Sequence, residues 1–131
     1  IFNQSCPLFV PLVEEGLTKG PITKSIAESY LSHFKNTDVD TLILGCTHYP
    51  ILTTVIKDVV GKNISLVDSG KATAEVVMDV LKKNGILSEE SNGGVHSFVT
   101  DSKQSFQKVI TKALTSEINI SIKSINRIDI G

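Results

Sequence analysis

The chain has 131 residues, a formal net charge of -1 at neutral pH and a sequence pI of about 6.3. This length is enough for one domain with a sizeable apolar core. The near-neutral charge gives no electrostatic reason to expect a nucleic acid or an anionic membrane as partner. No apolar run approaches the roughly 18 residues of a membrane-spanning helix. We therefore expect a cytoplasmic protein with a small-molecule ligand and, because position 1 is Ile rather than Met, a piece of a longer chain.

The first predicted elements precede a short apolar strand. Pro7 and Pro11 make residues 6–13 too rich in proline for a central strand, so we predict a loop or a short edge element there. A helix is predicted after Gly20 and Pro21, because apolar residues recur at the spacing of one helical face. The members of this face are Ile22, Ile26, Ala27, Tyr30, Leu31 and Phe34.

Two strand–helix units follow in the middle of the chain. Leu42 to Leu44 predict a strand buried on both faces, and a helix is predicted from Pro50 to Val60 with Gly61 as its C-terminal cap. A second strand at 64–67 precedes a third helix. The inner faces of the two helices are predicted to hold Leu52, Val55, Ile56, Val59 and Val60, and Val76, Val77, Val80 and Leu81. This order of elements implies parallel βαβ units with right-handed crossovers.

The last third of the chain begins with a polar, glycine-bearing linker at 86–94. We then predict a strand from Val95 to Val99 and a helix capped by Asp101 or Ser102. The helix face is predicted to hold Phe106, Val109, Ile110, Ala113 and Leu114, and strand-like alternation follows at Ile118, Ile120, Ile122, Ile128 and Ile130. The predicted fold class is α/β, with a mostly parallel sheet and flanking helices.

The candidate reactive groups are Cys46, Thr47 and His48, at the carboxyl end of the first predicted strand and before a helix amino terminus. Ligands bind at this end of parallel strands, and a thiol there is helped toward the thiolate by the helix end and by an imidazole. Thr47 offers a hydroxyl and an N–H to a substrate carboxylate or ammonium group. The alternative is structural, with Cys46 a small buried hydrophobe, Thr47 a helix N-cap and His48 a surface residue.

Other residues give little sign of chemistry. His33 and His96 have no metal-ligand neighbour at helical or strand spacing, and the sequence has no glycine-rich phosphate loop. Metal, nucleotide and pyridoxal cofactors are therefore not predicted. We interpret Cys6 as structural, without a disulfide to Cys46, and Asp68 as a helix cap.

The string Gly45-Cys46-Thr47-His48-Tyr49-Pro50 resembles the signature around the second catalytic cysteine of the glutamate racemases, which are cofactor-independent amino-acid racemases. Residues 6–16, 67–70, 98–101 and 128–131 also resemble segments of that family. The similarity covers essentially the whole chain, and the central motif is specific.

The resemblance implies a two-domain, pseudo-symmetric α/β racemase of which only the latter half is present. Residues 1–72 would be the latter part of the second domain, and residues 73–131 would return to complete the first, with the crossover between 68 and 94. The opposing catalytic cysteine would lie in the missing N-terminal half, which becomes the expected partner. Family members commonly dimerise, so we also expect a homodimer.

The resemblance also implies roles for single residues. Cys46 would exchange the α-proton of glutamate on one face, His48 would assist that thiol and help bind substrate, and Thr47 would bind the polar groups of the substrate. Glu14 would position or tune His48, although the adjacent Glu15 leaves the choice of carboxylate open and a solvated glutamate is the alternative. The product, D-glutamate, would supply peptidoglycan synthesis.

Two other functions remain open at this stage. One is an aspartate or hydantoin racemase of the same superfamily, although the aspartate relatives usually carry an acidic residue where this chain has His48. The other is a non-catalytic fragment, because the first cysteine is absent from these 131 residues.

Overall fold

The computed structural model describes residues 1–90, 93–114 and 121–130. Its contacts divide the chain into two compact units, Ile1–Leu87 and Ser88–Gly131. The division comes at Leu87, whereas the sequence analysis put it at residue 72 within a range of 68–94. The assignment of each segment to a domain of a longer protein stays a prediction.

The first unit alternates helices with two parallel strands. Its elements are α1 (Phe9–Glu14), α2 (Pro21–Leu31), β1 (Thr41–Leu44), α3 (Thr53–Val60), β2 (Ser65–Asp68) and α4 (Ser69–Lys83), with 3₁₀ turns at Ser32–Asn36 and Tyr49–Leu52. β1 and β2 pair in parallel, with Leu42 opposite Leu66 and Leu44 opposite Asp68. The α/β class with parallel strands is therefore confirmed.

Helix α1 corrects the prediction of a loop or edge element at residues 6–13. Pro11 is the third residue of this helix, a position where the backbone N–H needs no partner within the helix. The amide of Leu12 makes the bond to Leu8 O, at 3.1 Å. Proline content argued correctly against a central strand, but it did not exclude a helix that begins just before the proline.

The core of the first unit is formed mainly by α1, α2 and α3. Its fully buried large side chains are Phe9, Val13, Leu52, Ile56 and Val59. The predicted inner face of α3 is confirmed, and Gly61 ends that helix with φ of 91°, a value that L-residues with a side chain rarely adopt.

The buried face of α2 differs from the predicted stripe. It centres on Thr23, Ala27 and Leu31, whereas Ile22 is 60% exposed. Thr23 can be buried because its hydroxyl donates a hydrogen bond to Leu17 O at 2.9 Å, which satisfies the polar group. A hydropathy pattern counts threonine as polar and so rotates the predicted face toward Ile22.

Strand β1 is covered on one face only, in contrast to the prediction of burial on both. Leu44 is buried, but Ile43 is 70% exposed. Alternate residues of a strand face opposite sides, so the Ile43 side of the sheet is uncovered in the described part of this unit.

Helix α4 also departs from its prediction. None of its residues is buried, and the predicted inner face is open, with Val76, Val77 and Val80 exposed and Leu81 half-buried. The predicted cap is confirmed, because Asp68 Oδ1 accepts hydrogen bonds from Gly70 N at 2.8 Å and Lys71 N at 3.4 Å.

The second unit contains β3 (Gly94–Val99), α5 (Lys103–Leu114) and β4 (Ser121–Arg127). β3 and β4 are parallel, with an irregularity between Val95 and His96. Ser102 rather than Asp101 caps α5, because its Oγ accepts a hydrogen bond from Ser105 N at 3.3 Å.

The predictions for this unit are confirmed in part. Phe106, Val109 and Ile110 are half-buried on α5, while the side chains of Ala113 and Leu114, and residues Ile118 and Ile120, lie outside the described part. Ile122 lies in β4. The predicted strand at 128–130 is absent from the described residues, where β4 ends at Arg127 and Ile130 is 76% exposed.

Candidate active site

The loop after β1 carries the three predicted reactive residues. Gly45 follows the strand directly, and Cys46, Thr47 and His48 lead into the 3₁₀ turn that begins at Tyr49. The amide of Tyr49 donates a hydrogen bond to Cys46 O at 3.1 Å. The helix that follows Cys46 therefore begins as a 3₁₀ turn at Tyr49 and becomes an α-helix at Thr53, whereas the sequence analysis predicted one helix from Pro50 to Val60.

His48 lies against the end of α1. Its Nε2 is 3.7 Å from Glu14 Oε1, and the two side chains are 27% and 60% exposed. Helix α1 creates this approach because it ends at Glu14, and Gly16 then turns the chain with φ of 73°. Of the two adjacent glutamates that the sequence left open, the carboxylate beside His48 belongs to Glu14.

Thr47 contacts the other ring nitrogen of His48. Its Oγ1 is 3.4 Å from His48 Nδ1. With a neutral ring that carries its proton on Nε2, toward Glu14, the Thr47 hydroxyl donates to Nδ1; with a charged ring the direction reverses. When the ring is neutral, the hydrogen bond from Thr47 fixes the tautomer that carries its proton on Nε2. Thr47 is not a helix cap, since neither the 3₁₀ turn nor α3 has a side-chain cap.

The two cysteines occupy different surroundings. Cys6 is buried, and its burial raises the pKa of its thiol to about 11. Cys46 is half-buried and also free. The description of a small buried hydrophobe, left open for Cys46 by the sequence, therefore fits Cys6, while Cys46 is the more accessible thiol, two residues before His48.

Tyr49 connects the loop to both Cys6 and α1. Its hydroxyl donates a hydrogen bond to Cys6 O at 3.4 Å, and its ring meets the ring of Phe9 edge-on, at 5.3 Å between centroids. Burial first, and then the neighbouring Cys6 and Cys46, raise the pKa of the Tyr49 hydroxyl. From the sequence alone, no role was predicted for Tyr49.

A cavity of about 740 Å³ runs along β1 beside the amino-terminal residues. Cys6, Gly45 and Tyr49 contribute to its wall, but Cys46 and His48 do not. The side chains of Cys46 and His48 thus lie at the end of β1 outside the wall of that cavity.

The remaining predictions of absence concern metals and membranes. Among residues 1–90, 93–114 and 121–130, no group of three or more His, Cys, Asp or Glu side chains could hold a metal ion. The ring of His33 lies 4.1 Å from the ring of Phe34, with an interplanar angle of 38°, and His96 Nδ1 is 2.9 Å from Ser124 Oγ. Within the same residues, every helix is too short or too polar to span a bilayer.

Comparison with known proteins identifies similar chains. No protein-family model matches this sequence. The chain is 42% identical over 116 residues to the glutamate racemase of Chlorobaculum parvum, a match that covers 88% of this chain and 43% of that protein. It is 40% identical over 124 residues to the glutamate racemase of Aquifex aeolicus, covering 95% of this chain and 46% of that protein.

Solved structures give a consistent result. The glutamate racemase of Francisella tularensis, crystallised in complex with D-glutamate, is 29% identical with a TM-score of 0.78, over 98% of this chain and 46% of that one. The enzyme of Thermus thermophilus, in complex with beta-chloro-D-alanine, is 33% identical with a TM-score of 0.76, over 97% of this chain and 47% of that one. The chain spans about half the length of the relatives that it matches, so the similarity extends over about one half of each of these glutamate racemases.

Proposed function

We propose that this chain is the C-terminal half of a glutamate racemase and that Cys46 is one of its two acid/base groups. The observation that carries the proposal is the half-buried thiol of Cys46 at the carboxyl end of a parallel strand, in the same loop as an imidazole. The identity of about 40% to glutamate racemases across most of the chain supports glutamate as the substrate. The F. tularensis relative was crystallised with D-glutamate, in agreement with this choice.

The proposed reaction needs no cofactor. The Cys46 thiolate removes the proton from Cα of D-glutamate, and the electron pair of the C–H bond stays on the substrate as a planar carbanion. The thiol of the opposing cysteine then gives its proton to the other face, which leaves L-glutamate, a Cys46 thiol and an opposing thiolate. The reverse reaction exchanges the two roles, so each sulfur serves as base in one direction and acid in the other.

Three further residues support this chemistry in the proposal. His48 stabilises the Cys46 thiolate or relays its proton, and also contacts the substrate. Thr47, which is exposed beside the ring, offers its hydroxyl to the polar groups of the substrate and holds the tautomer of His48. Glu14 holds the imidazole from its other nitrogen.

The uncovered surfaces of the first unit support the missing N-terminal half as partner. Ile43 is 70% exposed on β1, and Val76 and Val77 are 62% and 50% exposed on α4. Exposed apolar surface of this kind indicates an interface. We propose that residues 1–72 belong to the second domain of the enzyme and residues 73–131 to the first. A cytoplasmic homodimer that makes D-glutamate for peptidoglycan synthesis completes the proposal.

The test uses the full polypeptide that carries this chain, in deuterated water. Cys46→Ser should abolish racemisation of both enantiomers to within the limit of detection, while circular dichroism shows an unchanged fold. Cys6→Ser is the matched control, because it removes the other thiol, and it should retain activity. Undiminished interconversion by Cys46→Ser would overturn the proposal.

Two further assays separate the open alternatives. Turnover of D-glutamate should exceed turnover of D-aspartate, and the reverse result would favour an aspartate racemase. The 131-residue chain alone should not racemise glutamate, because it lacks the opposing cysteine; activity of this chain alone would refute the two-cysteine mechanism.

A further inference from the structure

The aromatic residue that follows His48 contacts α1 at a point separate from the His48–Glu14 contact. The ring of Tyr49 meets Phe9, the first residue of α1, at 5.3 Å and an interplanar angle of 85°. His48 approaches Glu14, the last residue of the same helix. Five residues separate these points, or about 7.5 Å along the axis at 1.5 Å per residue. The reactive loop, residues 45–49, is thus held to α1 at both ends of the helix.

The ring of Tyr49, rather than its hydroxyl, provides most of this contact. The hydroxyl is 3.4 Å from Cys6 O, which is long for an O–H···O hydrogen bond. The edge-to-face geometry with Phe9 is favourable for aromatic pairs, and Phe9 is among the most deeply buried side chains, at 1% exposure. Because the core holds Phe9 in place, its ring can fix the position of an aromatic ring that packs against it.

We propose that Tyr49 is a positioning residue that anchors the Cys46–His48 loop to α1 through Phe9 and so sets His48 against Glu14. The inference rests on the proposed function in assigning a purpose to that loop, but the anchoring is a property of the structure that can be measured separately.

The chain offers a matched control for this proposal. Tyr30 also meets Phe9 edge-on, at 5.6 Å and 71°, but it lies on α2 and not in the reactive loop. Tyr30 and Tyr49 are both half-buried. Tyr30→Leu and Tyr49→Leu therefore remove the same kind of ring from the same partner, and only one of them releases the loop.

The experiment compares these variants in the full polypeptide that carries this chain. Tyr49→Leu should lower kcat, per folded molecule, by about tenfold or more, since small displacements of catalytic groups cost that much or more. Tyr49→Phe should restore kcat to within about threefold of the wild type, because the ring is kept. Tyr30→Leu should stay within the same threefold range.

Hydrogen–deuterium exchange supplies a readout that does not depend on activity. The amides of Tyr49 and Ile51 donate to Cys46 O and His48 O, both at 3.1 Å, and should protect a peptide that spans residues 45–52. Tyr49→Leu should raise exchange in that peptide by about tenfold while α3 stays protected, and Tyr30→Leu should not.

The outcomes separate this proposal from the proposed function. Equal losses of kcat in Tyr30→Leu and Tyr49→Leu, equal losses in Tyr49→Phe and Tyr49→Leu, or unchanged exchange in Tyr49→Leu would each overturn the anchoring. If the wild type does not racemise glutamate but Tyr49→Leu still raises exchange in the peptide of residues 45–52, the proposed function is refuted and the anchoring is left intact.

Discussion

Replacement of Glu14 by glutamine tests how much the contact with His48 contributes. The substitution keeps the shape of the side chain and removes its charge. The pair is separated by 3.7 Å, with side chains 27% and 60% exposed, so water screens much of the attraction. When both partners are charged, exposed pairs of this kind contribute about 0.2–1 kcal/mol. We therefore expect the free energy of unfolding to fall by less than about 1 kcal/mol.

The same magnitude limits the effect on catalysis. A factor of ten in rate corresponds to about 1.36 kcal/mol, so a contact worth at most about 1 kcal/mol changes kcat by at most about fivefold. From this limit we expect Glu14→Gln to lower kcat by about two- to fivefold in racemisation assays with each enantiomer. Added salt should reduce the difference in kcat between Glu14→Gln and the wild type, because the pair is near the surface.

Glu15→Gln is the matched control, since the neighbouring carboxylate has the same charge on the adjacent residue. It should leave kcat unchanged. A loss in Glu15→Gln as large as that in Glu14→Gln would show a general charge effect rather than a specific contact. A loss beyond about 50-fold in Glu14→Gln would show that a screened ion pair is the wrong description.

Four other predictions address the thiols, the core and the open face of the sheet. Iodoacetamide at pH 7.5 should label the half-buried Cys46 and spare the buried Cys6, as read by peptide mass spectrometry. Burial raises the pKa of the Cys6 thiol from 9.0 to about 11, so the stability that the neutral buried thiol contributes is fully present below pH 9 and is lost as the pH rises toward 11. The Tm of the wild type should therefore fall over this range, and Cys6→Ser should make the fall smaller. Ile56→Ala should lower the free energy of unfolding by about 2–5 kcal/mol in urea, because Ile56 is 1% exposed. The 131-residue chain should self-associate in light scattering through its open apolar sheet face, and Ile43→Lys should reduce that association; an unchanged distribution would contradict the assignment of this face as an interface.

Much of the site could be predicted because its signals are local. The apolar run of β1, the reactive residues after it and the glycine cap of α3 lie within a short stretch of sequence, and the structure has all of them. The contact between His48 and Glu14 could be suggested only by resemblance, since it joins residues far apart in the chain.

The incorrect predictions for α1, α2 and α4 depend on hydrogen bonds and packing contacts that the hydropathy pattern of the sequence does not show. Thr23 is buried because Leu17 O accepts its hydroxyl, and Ile22 is exposed as a result of the rotated face. Helix α1 forms despite Pro11 because the proline lies in the first turn. The apolar side of α4 follows helical spacing, yet the described residues leave it uncovered.

The sequence by itself determined the α/β class, the parallel strand–helix order and the position of the reactive loop, because hydrophobic period and turn residues act over short distances. Only the tertiary structure decided which carboxylate meets His48, which thiol is accessible and which aromatic ring supports the loop. Those outcomes depend on how α1 packs beside the end of β1, and packing between distant segments is set by side-chain shape and satisfied polar groups rather than by any local pattern.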